Sequence, residues 1–152
     1  MVFELKSDAF ENNGMIPARY TRDGENVSPP LTWCDVPAGT KRFILIVDDP
    51  DAPVGDWVHW LGWNIPAETA SLVEGMSRDP KLASGMCQGI TDYGTTGYDG
   101  PCPPSGTHRY FFKLYAVDTV LELPSHVKKE DLKLAMQGHV LAQAQIMGRY
   151  TR

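Results

Sequence analysis

Apolar and polar positions along the chain fall into short stretches cut by glycine and proline, each either alternating or continuously apolar over strand length. Residues 41–49 (KRFILIVDD) have an unbroken apolar middle, the pattern of a strand buried on both faces and central in its sheet, and they stop at Pro50. Residues 57–65 (WVHWLGWNI) predict a strand that places Trp57, His59, Leu61, Trp63 and Ile65 on one side. Residues 108–117 (HRYFFKLYAV) predict another, with His108, Tyr110, Phe112 and Leu114 on one face and Arg109, Phe111, Lys113 and Tyr115 opposite. Aromatic side chains on both faces predict that both are covered. Shorter strands are expected at residues 3–6, 16–20, 31–33 and 86–91.

Helical spacing of Leu132, Ala135 and Met136 predicts one helix over residues 129–137, with Gly138 as its stop. Residues 139–150 alternate as a final strand, with helix as the alternative. The stretch 94–106 (GTTGYDGPCPPSG) breaks both helix and ladder, and a loop of that length next to an aromatic strand points to function. No repeat, linker or low-complexity tract divides the chain, so residues 1–152 read as one mostly β domain.

Charge alters this picture only by exclusion. The formal net charge is −5, and no basic run supplies the cationic cluster that nucleic acid requires. Residues 1–10 carry Glu4, Lys6 and Asp8, unlike a secretory signal, and the longest pure apolar run, 43–47, falls far short of the roughly 18 residues of a membrane span. Cys34, Cys87 and Cys102 form neither a disulfide framework nor a zinc motif, so a reducing cytoplasm is expected, with a Cys87–Cys102 bridge left open by spacing.

Three places carry more than a core needs: Asp49-Pro50-Asp51-Ala52-Pro53, where prolines fix the path after a buried strand; Trp57-Val58-His59; and the loop from Asp99 through Pro104 into His108-Arg109-Tyr110. His108 and Tyr110, two apart on a strand, share a face. If the strands are neighbours, a carboxylate, two imidazoles and a phenol meet in a site suited to phosphate, with Asp49 holding one imidazole as donor and both imidazoles donating. Each residue also has a plainer reading. A histidine on an aromatic face is ordinarily a hydrogen-bonded core residue, Asp-Pro starts turns, Tyr110 and Trp57 are core aromatics, and Cys102 is a small packed side chain. Asp49, His59 and His108 also have the composition of a two-histidine, one-carboxylate metal triad. Cys102 with His108 would make a thiol and its base, but no orienting group or oxyanion hole is marked, and the common enzyme signatures are missing. Of the X-Pro bonds, Ala52–Pro53 is the first candidate for cis.

Taken together, Asp49-Pro-Asp-Ala-Pro53, Trp57-x-His59 and Gly100-Pro-Cys-Pro-Pro104 followed by His108-Arg-Tyr110 resemble the phosphatidylethanolamine-binding protein family, the Raf kinase inhibitor-like proteins. The likeness runs from Asp23-Gly-Glu-Asn-Val-Ser28-Pro-Pro-Leu-Thr-Trp33, similar to a motif of the prokaryotic branch, to Gly138-His139-Val-Leu-Ala. The resemblance implies a two-sheet β-sandwich with a small cavity for phosphate, phosphorylated head groups or similar anions. By position, Asp49, Trp57, His59, His108 and Tyr110 would line it, the loop from Gly100 to Pro104 would wall it, and Asp51, Pro53 and Arg109 would support the loops. It implies a binding or regulatory role without cofactor, metal or catalytic residue, and for some members inhibition of a kinase or serine protease, which is the alternative function here. Only Val54-Gly55-Asp56 separates the proline motif from Trp57, shorter than in animal members, and the sequence ends at Arg152 without their extra C-terminal helix. A wider mouth, or a second subunit covering it in a homodimer, is what these departures imply.

Overall fold

The computed structural model describes residues 2–152. In chain order its elements are β1 (Glu4–Lys6), β2 (Gly14–Met15), β3 (Leu31–Cys34), β4 (Arg42–Asp49), β5 (Trp57–Pro66), β6 (Ser71–Leu72), β7 (Cys87–Gln88), β8 (Thr107–Val117), α1 (Lys129–Met136) and β9 (Val140–Thr151). They form a small sheet of order β1-β3-β6 and a large sheet of order β2-β9-β8-β4-β5-β7. The chain is thus mostly β, with two sheets and one short helix near its C-terminus.

The uninterrupted apolar run of β4 is explained by its place between β8 and β5, where both its faces are covered. Phe43, Leu45 and Val47 join Tyr110, Phe112 and Leu114 of β8 in the core that also holds Leu5, Leu31, Trp33 and Leu72 of the small sheet. Ile44 and Ile46 point the other way, into a second core closed by Leu121, Val127 and by Leu132 and Met136 of α1. Asp131 accepts the Lys128 backbone N–H at 3.1 Å at the start of α1, and Gly138 follows its end with φ +79°. The last two residues of β4 divide the same way: Asp48 faces α1, bonded to Lys129 Nζ at 2.7 Å and paired with Lys113 at 3.2 Å, while Asp49 faces the sandwich side.

Five sequence expectations need correction. The single face proposed for β5 is broken, because the pairing steps from Val47↔Trp60 to Asp48↔Val58 and leaves His59 as an extra residue. A second shift lies near Asn64, at φ +54°; hence Leu61 and Trp63 join the core under α1, while Trp60 and Ile65 face the small sheet. Residues 16–20 are not a strand: Ile16 N–H still bonds Arg149 O at 2.7 Å, but Pro17 then fixes φ at −61° and begins a 3-10 turn, Ala18–Tyr20. The strand expected over 86–91 shrinks to β7, since Gly89 and Ile90 turn towards Leu61 and Val127. The outer face of β8 is sealed only at Tyr115 and Val117; around half-buried Phe111 the cover is Arg109 and Lys113, 5.5 and 5.8 Å from the ring centre. The Ala52–Pro53 bond is trans, and Cys34, Cys87 and Cys102 are free thiols.

Candidate functional site

β4, β5 and β8 lie side by side, so the C-terminal end of β4 meets the N-terminal ends of β5 and β8 at one edge of the sandwich. Each contributes its inward side chains there: Asp49, then Trp57 and His59, then His108 and Tyr110. They line a cavity of about 220 Å³, completed by Ala52, Pro53 and Val54 on one side and by Tyr93, Cys102, Pro103 and Pro104 on the other. That is below the roughly 300–1,000 Å³ of sites for drug-sized molecules, and several times the ~30 Å³ share of one water. A larger hollow of about 390 Å³ beside β1 and β9 includes Phe3, Leu5 and Phe10 in its wall and brings no histidine to it.

Asp49 is nearly sealed from solvent and committed at both oxygens. Oδ1 accepts the Asp51 N–H at 2.7 Å, an aspartate turn that starts the loop, and Oδ2 accepts His108 Nδ1–H at 2.7 Å. The His108 tautomer follows from that partner: Nδ1 carries the proton and Nε2 is left for a ligand. The loop is anchored once more by Asp51, which accepts Arg109 N, Nε and Nη2 at 2.9, 2.9 and 2.8 Å. The Arg109 hydrogen bonds hold the Asp51 carboxyl down at about 2. Asp51 and Arg109 do not touch the cavity, whereas Pro53 forms part of its wall.

His59 occupies the β5 bulge, a device that re-aims a side chain at a strand's end. Its Nδ1–H donates to the Asp99 carbonyl at 2.6 Å, and Asp99 N–H returns a bond to the His59 carbonyl at 2.9 Å. The Asp99 carboxylate is gripped by Arg22 Nε and Nη2 at 2.7 and 2.9 Å, Asn26 Nδ2 at 2.9 Å and Thr95 Oγ1 at 2.9 Å. Burial pushes that carboxyl up, but these four bonds outweigh it and hold it below its usual range. Burial dominates at His59 and lowers its pKa, against the opposing pull of the Asp99 carbonyl and of Asp49. Neutral His59, protonated at Nδ1, can only accept at Nε2. This differs from the expectation that both imidazoles donate; the reason is the backbone carbonyl, which takes the one proton the ring holds.

Tyr110 is 1 % exposed, and its hydroxyl has no hydrogen-bond partner among the described residues; Trp57 Nε1 is likewise buried and unpaired. Such orphans are uncommon because each costs about 1–3 kcal/mol. Both belong to the cavity wall, and burial raises the Tyr110 pKa strongly, so its hydroxyl keeps its proton.

Gly100 stands outside the wall. A Cβ there would lie 2.3 Å from Tyr20 O and 2.7 Å from Asn26 Oδ1, and its N–H donates to that same Oδ1 at 2.8 Å. It is a packing point beneath the loop, while Pro104 does line the cavity. Residues not anticipated are Ala52, Val54 and above all Tyr93, over whose ring the Arg22 guanidinium lies at 3.8 Å. Nothing in the local sequence marks Tyr93, an isolated aromatic in a turn. The metal arrangement considered for Asp49, His59 and His108 lacks the geometry: among the described residues no group of three His, Cys, Asp or Glu side chains is placed to hold an ion.

The comparisons agree with one another. The family profile described as phosphatidylethanolamine-binding protein matches residues 6–151. A UPF0098 protein of Methanothermobacter thermautotrophicus is 54% identical over 148 residues, covering 97% of this chain and 98% of that one. One from Aquifex aeolicus is 48% identical over 99% of this chain and 90% of its own. Among solved structures, a putative phosphatidylethanolamine-binding protein homologue of Chlamydia trachomatis superposes with a TM-score of 0.92 at 40% identity, over 99% of this chain and 98% of that one. E. coli YbcL, described as a new member of the mammalian family, gives 0.93 at 34% identity over 100% and 99%. With the profile spanning all but the ends of the sequence and the sheets superposing throughout, the chain belongs to the phosphatidylethanolamine-binding protein family.

Proposed function

We propose that the cavity between β4, β5 and β8 is the binding site for one small oxyanion of the phosphate type, free or at the end of a head group, and that the protein's role is to hold it. The observation that carries this reading is the buried, unpartnered Tyr110 hydroxyl, set in the same wall as His108, whose ring Asp49 orients with Nε2 free. A ligand oxygen would meet the His108 ring at Nε2 and, with a small movement of the wall that uncovers it, the Tyr110 hydroxyl. Proline-braced walls and a small volume suit a tetrahedral group better than an acyl chain. No covalent step is required.

Calorimetric titration of inorganic phosphate and of phosphoethanolamine into the wild type and His108→Ala tests the proposal. Saturable binding by the wild type, weakened at least about tenfold in the variant, is expected. Equal affinity in the two proteins would remove the cavity from consideration.

A further inference from the structure

We infer that the cavity, if it is the oxyanion site proposed above, selects oxyanions that still carry a proton and turns away fully deprotonated ones of the same shape and charge. Hydrogen phosphate, hydrogen arsenate and the monoanion of a phosphate monoester would enter; sulfate and the monoester dianion would not.

The argument starts at His59. The ring is 2 % exposed, and its Nδ1 sits 2.6 Å from a carbonyl oxygen, a group that only accepts. The proton is therefore on Nδ1. That carbonyl cannot turn away, because Asp99 N–H is bonded to the His59 carbonyl and the Asp99 side chain is fixed by Arg22, Asn26 and Thr95. The ring is also wedged edge-on between Tyr93 and Tyr110, with centroids 5.6 and 5.2 Å away.

Among the described residues, the sealed side-chain atoms without partners are Trp33 Nε1, Trp57 Nε1, Trp63 Nε1 and the Tyr110 hydroxyl. His59 Nε2 has no protein partner either and is not one of those sealed atoms, so its lone pair opens on the cavity that His59 lines. A ligand that meets it with a hydroxyl gains a hydrogen bond. One that meets it with a bare anionic oxygen sets lone pair against lone pair in a desolvated place, the situation in which a site rejects an analogue lacking its hydrogen-bonding group.

Charge works in the same direction. The groups facing the ring are Asp49 at the end of β4, Tyr110 and His108 on β8, and Tyr93 and Asp99 on the loop. Asp48 lies behind on β4. The Asp49 carboxyl group, an acceptor at both oxygens, stands in the wall, and the Arg22 guanidinium that pairs with Asp99 is engaged by that carboxylate. Lowering the ligand's charge by one proton therefore helps twice.

Inorganic phosphate and sulfate at pH 8 make a matched pair, both tetrahedral dianions, only one with a hydroxyl. Calorimetry is expected to show phosphate and arsenate bound at least about tenfold more tightly than sulfate. Phosphoethanolamine, whose phosphate loses its last proton near about pH 6, should match phosphate at pH 5.5 and fall at least about tenfold behind it at pH 8. In His59→Gln, whose amide can present either a donor or an acceptor, the phosphate-to-sulfate ratio should shrink to within about threefold. Nitrogen-15 NMR of the phosphate-bound wild type should show His59 Nε2 unprotonated.

Sulfate within about threefold of phosphate in the wild type, or a protonated Nε2 in the phosphate complex, would overturn the selection while leaving the oxyanion site intact. Failure of every anion to bind at millimolar concentration would instead sink the oxyanion site, and the selection with it.

Discussion

His108 and Asp49 are joined at 2.7 Å, and the carboxylate that orients the ring is the same one that turns the chain after β4 through the Asp51 N–H. Ring orientation and loop shape therefore share one buried group. Asp49→Asn keeps the size but presents an amide whose one oxygen must choose between the two donors. It is expected to weaken phosphate binding about tenfold and to lower stability by about 1–2 kcal/mol, read by calorimetry and urea denaturation.

Tyr110→Phe separates binding from folding. The phenol is a buried group without a partner in the free protein, so its removal should leave stability unchanged or raise it by up to about 1 kcal/mol. Phosphate affinity should drop about five- to tenfold in the same protein. A loss of stability comparable to the loss of affinity would mean that the hydroxyl serves the fold.

Asp51 gives a pH signature. Its folded pKa of about 2, held down by the Arg109 hydrogen bonds, lies below the ordinary aspartate value, so the native state favours the ionised form. The resulting stability is fully present above the unfolded value and disappears as pH falls through the folded one. Because Asp51 and Arg109 are both partly exposed, solvent screening reduces it to about 1 kcal/mol at most. Denaturation of wild type and Asp51→Asn should differ by about that amount at pH 6 and converge only below about pH 2.

Gly100→Ala tests the packing beneath the loop. A methyl 2.3 Å from the Tyr20 carbonyl forces backbone to move at both Tyr20 and Gly100, since no flexible side chain can yield there. A cost of about 2–3 kcal/mol in thermal or chemical denaturation is expected. Phosphate binding should weaken as well, because Asp99, the partner of His59, is the preceding residue.

Lys129→Ala probes the opposite face of the large sheet. Asp48 is buried with Lys129 and Lys113 as its cationic partners, and removing the nearer one leaves a charge only half compensated. Destabilisation of about 2 kcal/mol is expected in denaturant titrations, with α1 loosened first in hydrogen exchange.

Much of this arrangement was legible from periodicity. β4 and β8 alternate or run apolar for their full length, and they are the two strands at the centre of the large sheet, where burial leaves composition little freedom. Asp49, His108 and Tyr110 could be brought together on paper because their strands are regular. β5 defeated the same reasoning: two register shifts change which side chains share a face, and a bulge leaves no composition mark when the extra residue is a histidine. Residues 16–20 looked extended, yet Pro17 ended the pairing that Ile16 had begun. Tyr93, Arg22 and Asp99 reach the site from loops, through contacts 77 residues apart in the Arg22–Asp99 case, and no local pattern encodes such a meeting.

Asp48 and Asp49 sit side by side at the finish of β4, one turned towards the helix and the other towards the hollow. Inserting or deleting a single residue within β4 would exchange their duties, placing a lysine-clamping carboxylate where the imidazole needs its anchor. The strand thus behaves as a ruler with no spare graduation, and length variation among functional relatives should be confined to the turn after it, where Gly55 stands exposed with open space around it.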